Sequence, residues 1–107
     1  MQNNAFTPFG PTYAVSSTAP VQVLATNNLG PTSYRIRNTN SSANYISWSP
    51  ALPSGMAPTF ACTSPVAGTP SVNTVGMIGS SIEVFQLPSN CWFIATAAFE
   101  VTPGEGF

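Results

Sequence analysis

The sequence is poor in charge. It has no Lys, no His and no Asp, and its charged residues, Arg35, Arg37, Glu83, Glu100 and Glu105, make up 5% of 107 residues, against roughly a quarter in an average soluble domain. Two cations are too few for the phosphate contacts of a nucleic-acid site or the basic face of a membrane-surface helix. Without His and Lys there is no Ser-His-Asp triad, no imidazole metal ligand, no Walker A loop and no Schiff base. We therefore expect no nucleic-acid or membrane partner, no cofactor and no enzymatic activity.

What remains is typical of a folded chain that associates with others. Hydrophobic residues make up 43% of the sequence, and the net charge is −1, so little charge repulsion keeps copies apart. Two Trp, three Tyr and seven Phe argue against disorder. The polar residues are mainly Ser, Thr and Asn, which can hydrogen-bond across a contact without burying ions. We expect a homo-oligomer, a dimer or a trimer, that also packs against a larger partner.

The cysteines predict two free thiols. Cys62 and Cys91 are the only ones, which is too few for a disulfide framework or, without His, for a soft metal site. The first residues contain neither a basic stretch nor a long apolar run, so we expect no signal peptide and synthesis in a reducing cytoplasm.

Short apolar runs predict an all-β chain. Eleven Pro and eight Gly interrupt every helical pattern, and the runs between them are β-branched or aromatic. We expect a single domain with an antiparallel β-sandwich or β-barrel, jelly-roll-like. The expected strands are 12–16, 20–25, 33–38, 44–49, 59–62, 72–78, 81–87, 91–95 and 99–102, the last two forming a hairpin across 96–98. The expected core includes Ile46, Trp48, Val84, Phe85, Trp92 and Ile94.

Two segments lie outside this strand pattern. Residues 1–10 read as an extended N-terminal arm ahead of a β domain at 11–107, and the prolines around 49–70 mark a long loop region. Phe6 and Phe9 in the arm, and Phe107 at the carboxyl end, are apolar residues outside the strands. We expect them to contact a partner.

The arginines are further candidates for a partner contact. Arg35 and Arg37 share one face of the 33–38 strand. They could clamp a carboxylate or phosphate, form cross-strand ion pairs with Glu83 and Glu100, or contact another subunit. The glutamates alternate with apolar residues along their strands, which is typical of solvent-facing positions rather than of a catalytic pair.

The aromatic residues also allow two interpretations. Trp48 and Trp92, with Tyr13, Tyr34 and Tyr45, could form a platform for sugars. In a small β domain such residues more often fill the core.

The carboxyl-terminal third carries a resemblance. The stretches SIEVFQLP at 81–88, SNCWFIA at 89–95 and FEVTPGEGF at 99–107 resemble a family of small tailed-phage virion proteins. Those chains contain x-E-V-F-x-x-P, a further strand and a terminal V-T-P-G-E-G-L. GPTYAV at 10–15 and YRIRN at 34–38 are similar to that family as well. The chain departs from it at Phe107, where the family has Leu, and in the proline-rich middle.

The resemblance implies a capsid decoration, or cement, protein. Such a protein is a small β-sandwich or β-barrel that binds the outer surface of a tailed-phage capsid as an oligomer and stabilises it. Its partners would be the major capsid protein and further copies of itself, and its location the capsid surface of the virion. A head-fibre, spike or tail component is the alternative, and a carbohydrate-binding module is a more remote one. No motif of the family assigns contact residues.

Overall fold

The computed structural model describes residues 6–25 and 32–105, and in them two antiparallel β-sheets pack face to face. Sheet A has the strand order β1-β9-β4-β7, with β2 also pairing with β9, and sheet B has the order β3-β8-β5-β6. The predicted all-β class is confirmed, in the form of a sandwich. The strands are β1 Thr7–Pro8, β2 Tyr13–Val15, β3 Val21–Gln22, β4 Thr32–Asn38, β5 Asn44–Ser49, β6 Thr74–Met77, β7 Ile82–Leu87, β8 Trp92–Ala95 and β9 Phe99–Glu105.

Side chains that point alternately to the two faces of each strand form the core between the sheets. In the central strand β4, Tyr34 and Ile36 point inward and are almost completely buried, while the two arginines between and beside them point outward. The Tyr34 ring meets Phe93 of sheet B edge-on, with ring centroids 5.1 Å apart. Its hydroxyl donates to the Pro88 carbonyl at 2.7 Å and accepts from the Cys91 N–H at 3.2 Å. The two sheets are thus joined by apolar packing in which the buried Tyr34 hydroxyl is satisfied.

The predicted core is right for three residues. Ile46 is buried in the inter-sheet core, and Trp48 and Phe85 pack against it. For Val84 and Trp92 the prediction is wrong, because strand register places them on the outer faces. Val84 pairs with Arg35 in sheet A and is half-buried, and Trp92 pairs with Ser49 in sheet B and is half-buried.

Ile94 is a separate case. It is buried, at 6% exposure, but its pairing with Ser47 places it on the outer face of sheet B, outside the inter-sheet core. Paired residues lie on the same face of a sheet. A shift of one residue in the register would therefore move each hydrophobic residue to the opposite face.

The predicted hairpin across 96–98 is wrong. Strand β8 pairs with β3 and β5 in sheet B, whereas β9 pairs with β1, β2 and β4 in sheet A. Residues 96–98 therefore cross from one sheet to the other. Two successive strands with a short connection pair often, but such a connection can also turn a corner between sheets. The weak run at 59–62 is also not a strand.

Strand β9 extends past the predicted end at residue 102, through Pro103 to Glu105. Pro103 has no N–H, yet its carbonyl accepts the Phe9 N–H at 2.8 Å. In an antiparallel ladder the N–H and C=O of one residue face the same side. The N–H that Pro103 lacks would therefore point toward the short strand β1. The hydrogen bonds between β9 and β4 do not need it.

One end of the sandwich is organised by Asn38, which is completely buried. Its amide nitrogen lies 3.0 Å from the Ser42 carbonyl oxygen and 3.1 Å from those of Met77 and Ile78. Its Oδ1 accepts from the backbone N–H and side-chain amide of Asn40, both at 3.0 Å. One side chain thus ties the β4–β5 loop to the β6–β7 turn.

Candidate functional site

The connection between β5 and β6, residues 50–73, is the proline-rich loop and the largest departure from strand structure in the described residues. It contains no charged residue, and in the sequence none lies between Arg37 and Glu83. The structure places this loop over the outer face of sheet B. It therefore has one side against the domain and one side toward solvent.

The inner side of the loop covers sheet B. Pro58, Phe60 and Cys62 are half-buried and alternate with exposed residues, which is the pattern of an extended segment lying flat on a surface. Beneath it, Ser47 and Ile94 face away from the inter-sheet core yet are only 2% and 6% exposed. The Ser47 side chain lies close enough to the Cys62 thiol to lower its pKa. The loop is thus anchored as a third layer over sheet B.

Several apolar side chains of the loop are solvent-facing. Leu52, Met56, Val66 and Val72 are 38%, 69%, 64% and 80% exposed, and we name these four residues the apolar loop surface. Seven large hydrophobic residues are exposed in the described part of the chain, and four of them are on this loop. Exposed apolar side chains concentrated on one uncharged segment are typical of a protein contact surface.

Reasoning from the sequence missed these four residues as contact candidates. They lie singly between prolines and small residues and form no apolar run. The available signal was the length of the uncharged stretch together with the expectation that a long loop in a compact domain makes contacts.

The two cysteines are both free thiols, as predicted. Burial raises the pKa of the Cys62 thiol, and its hydrogen bond with Ser47 offsets part of that rise. Burial raises the pKa of Cys91 to about 11, against a smaller opposing effect of the Tyr34 hydroxyl. The Cys91 Sγ lies 3.0 Å from the Pro88 carbonyl oxygen. Both thiols are therefore protonated at neutral pH, which is typical of structural rather than nucleophilic cysteines.

The arginines lie together on the outer face of sheet A, as predicted from the period of two. Arg37 Nη1 lies 3.3 Å from Glu100 Oε1, with the side chains 52% and 44% exposed. The expected ion pair with Glu83 is wrong, because Glu83 pairs in register with Ile36 and so lies on the opposite face of the sheet. Arg35 pairs in register with Thr102.

Arg35, Arg37, Glu100 and Thr102 border a depression together with Thr12, whose hydroxyl is 2.7 Å from that of Thr102. The depression is lined by polar side chains, and its ion pair is half exposed. Such a pair contributes little binding or folding energy by itself.

The described arm residues are attached to their own domain. Thr7 and Pro8 pair with Glu105 and Gly104 of β9. Phe6 and Phe9 are half-buried, and the Phe6 ring lies so close to Gly104 that a Cβ there would be 2.7 Å from its Cζ. Residues 1–5 and Phe107 lie outside the described residues. Partner contacts by the three phenylalanines and the two arginines stay predictions.

The aromatic platform does not form from the two tryptophans. Trp48 pairs with Phe93 on the inner face of sheet B, and Trp92 pairs with Ser49 on the outer face. Tyr34 fills the core. Trp48 and Tyr34 thus face the inter-sheet core whereas Trp92 faces outward, so the two tryptophans do not share one exposed surface.

Further comparisons give no additional site. In residues 6–25 and 32–105, no three His, Cys, Asp or Glu side chains lie close enough to hold a metal ion. The same residues include no helix with the length and hydropathy needed to cross a membrane. Comparisons with protein-family models, with curated proteins and with solved structures found no match.

Proposed function

We propose that this protein is a non-enzymatic structural component of a tailed-phage virion, and specifically a capsid decoration protein. It binds the outer surface of the capsid, contacts the major capsid protein and further copies of itself, and stabilises the shell. The observation that carries the proposal is the apolar loop surface: four exposed hydrophobic side chains on an uncharged loop. The resemblance of the 81–107 region to small virion proteins supports the same role.

The architecture suits this task. A decoration protein has to remain rigid while presenting contact area, and here the proline-rich loop is held on sheet B through Phe60, Cys62 and the buried residues beneath them. Prolines restrict the loop in the unbound state, so less conformational entropy is lost when it binds. The exposed apolar side chains of the loop are then held by a restricted backbone before they bind.

The expected energy is modest for one copy and large for a lattice. Burying a few hundred Å² of apolar surface contributes roughly 5–8 kcal/mol at 25 cal/mol per Å², before the cost of association is subtracted. Linked copies bind more tightly than single ones, because each bound copy raises the effective concentration of its neighbours. Since the loop has no charge, we expect capsid binding to change little with ionic strength.

The test is direct binding to capsids assembled from the major capsid protein of the same phage. In a double variant, Met56→Ser and Val72→Ser, binding should weaken at least about tenfold, because two of the most exposed loop side chains lose their apolar surface. Ile78→Ser is the matched control, since Ile78 is 74% exposed but lies outside the loop, and it should bind like the wild type.

Equal binding of the double variant and the wild type would exclude the loop as the contact. Dissociation in moderate salt would exclude an apolar mechanism. Deleting residues 1–9 tests separately whether the arm also contributes. Failure of the wild-type protein to bind the capsids would refute the proposal. Its copy number in purified virions then separates the roles, because a decoration protein covers the lattice whereas a fibre, spike or tail component occupies a few positions.

A further inference from the structure

Strand β7 is a long free edge. In the described part of the chain its residues pair with β4 on one side, and no strand pairs with the other side. The other strands at the margins of the two sheets are shorter: β1 and β3 have two residues each, β2 has three and β6 has four, against six in β7. Natural proteins usually protect such edges with charged side chains, above all Lys, with Pro, with bulges or with very short strands. The interior of β7 has neither Lys nor Pro, and its one charged residue is Glu83, which shares the inner face of sheet A with Ile36.

The register shows which backbone groups face that free edge. Asn38 N donates to Ser81 O at 3.0 Å, one position beyond the Arg37–Ile82 pair of the β4–β7 ladder. Hydrogen-bonded and non-hydrogen-bonded pairs alternate in an antiparallel ladder. Glu83 and Phe85 therefore bond to β4, and the N–H and C=O groups of Ile82, Val84 and Gln86 point away from it.

The outward-pointing N–H and C=O groups of β7 can pair with the same groups of a second β7 strand, with Val84 at the centre of the pairing. In an antiparallel pairing of two β7 strands centred there, Val84 bonds to the partner's Val84, and Ile82 bonds to the partner's Gln86, with about six hydrogen bonds in all. Centring on Glu83 would set two carboxylates opposite each other. Centring on Phe85 would bring Pro88, which has no N–H, opposite Ile82. The Glu83 carboxylates and Pro88 disfavour the two neighbouring registers, so the register centred on Val84 is favoured.

An apolar cleft adjoins the same edge. Trp48, Val75, Phe85 and Leu87 are only partly buried and line a small cleft between the sheets. Val75 belongs to β6 and the last two residues to β7, the neighbouring edge strands of sheets B and A. A strand added to β7 lengthens the inner face of sheet A beside this cleft. In the Val84 register each Glu83 lies opposite the partner's Phe85, so no like charges oppose each other.

We propose that β7 pairs with β7 of a second copy, antiparallel and centred on Val84, so that the two A sheets become one continuous sheet across a two-fold axis. A six-residue strand pair is smaller than a standard protein interface, so the dimer is concentration-dependent in solution. This contact involves only copies of this chain. Capsid binding through the apolar loop surface can therefore fail or succeed independently of it.

Opposite charges at position 84 test the pairing. Two copies of Val84→Lys, or two of Val84→Glu, place like charges opposite each other, so in analytical ultracentrifugation each variant alone should self-associate at least about tenfold more weakly than the wild type. An equimolar mixture of the two should regain association as a heterodimer. Thr102→Lys is the matched control, because Thr102 is on the same outer face but in β9, which is paired on both sides. It should dimerise like the wild type.

Cysteine cross-linking provides a second measurement that does not require a charged variant to fold. In a Cys62→Ser background, Val84→Cys should form a disulfide-linked dimer under mild oxidation, since the two Cα atoms would lie about 5.5 Å apart. Thr102→Cys should not. A wild-type protein that stays monomeric up to millimolar concentration would overturn the proposal. Two other results would also overturn it. One is an equimolar mixture of Val84→Lys and Val84→Glu that does not regain association, and the other is equal cross-linking of Val84→Cys and Thr102→Cys.

Discussion

Replacing Asn38 by Ala should be among the most destabilising single changes outside the apolar core. The side chain is completely buried, and its amide group reaches three carbonyl oxygens and accepts two hydrogen bonds from Asn40. The two amide protons and two accepted bonds amount to about four hydrogen bonds, each worth about 1 kcal/mol net. We expect a loss of about 3–5 kcal/mol, a large share of the roughly 5–15 kcal/mol that stabilises a domain of this size.

The neighbouring Thr39→Ala is the control. Thr39 is exposed and donates one hydrogen bond, to the Ala98 carbonyl at 2.9 Å, so its removal should cost about 0.5–1 kcal/mol. Urea unfolding followed by tryptophan fluorescence measures both changes, and the slope of unfolding free energy against urea should not change. If Asn38→Ala costs no more than Thr39→Ala, Asn38 does not hold the two loops together.

Asn38→Asp adds a pH test of the same geometry. An aspartate there faces three carbonyl oxygens, so burial and the lack of donors should raise its pKa in the folded state. A raised folded-state pKa means that stability is present below the unfolded pKa, about 3.9, and is lost as the pH rises through the folded pKa. The Asp variant should therefore approach the wild type near pH 4 and fall furthest behind it at pH 7. An equal deficit at both pH values would contradict this account.

Three further predictions concern other parts of the sandwich. Because the pKa of Cys91 is raised from 9.0 to about 11, its stabilising effect is fully present below pH 9 and is lost between pH 9 and 11, by about 2–3 kcal/mol; urea unfolding at pH 8 and pH 11 should show this loss in the wild type and less of it in Cys91→Ala. Gly104→Ala places a Cβ against the Thr7 carbonyl, so the domain should fold while the Phe9 N–H loses protection from hydrogen exchange; unchanged protection would show that the arm tolerates the methyl group. Glu100→Gln should change the unfolding free energy by less than about 1 kcal/mol, because the ion pair with Arg37 is half exposed; a loss above 2 kcal/mol would mean that the pair is more important than its exposure indicates.

Local patterns were sufficient to predict the long strands β4, β5 and β7. The runs at 33–38, 44–49 and 81–87 match β4, β5 and β7 to within one residue, because alternation and the flanking Pro, Gly and Asn residues act over a few positions. The outward direction of Arg35 and Arg37 follows from the same period of two. The free cysteines were expected from composition and confirmed. Each of these properties depends on a short segment or on residue counts.

Which strands pair, and therefore which face each residue occupies, was decided by the tertiary structure. Glu83, Val84 and Trp92 lie on faces opposite to those expected, because β7 and β8 take their register from partners 40 to 60 residues away in the sequence. Chain neighbours do not determine that register: a shift of one residue exchanges the two faces of a strand. Likewise, the apolar loop surface exists because the proline-rich loop lies on sheet B with one side buried. Beyond the alternation at 58–62, no local pattern in residues 50–73 distinguishes the covered side from the exposed one.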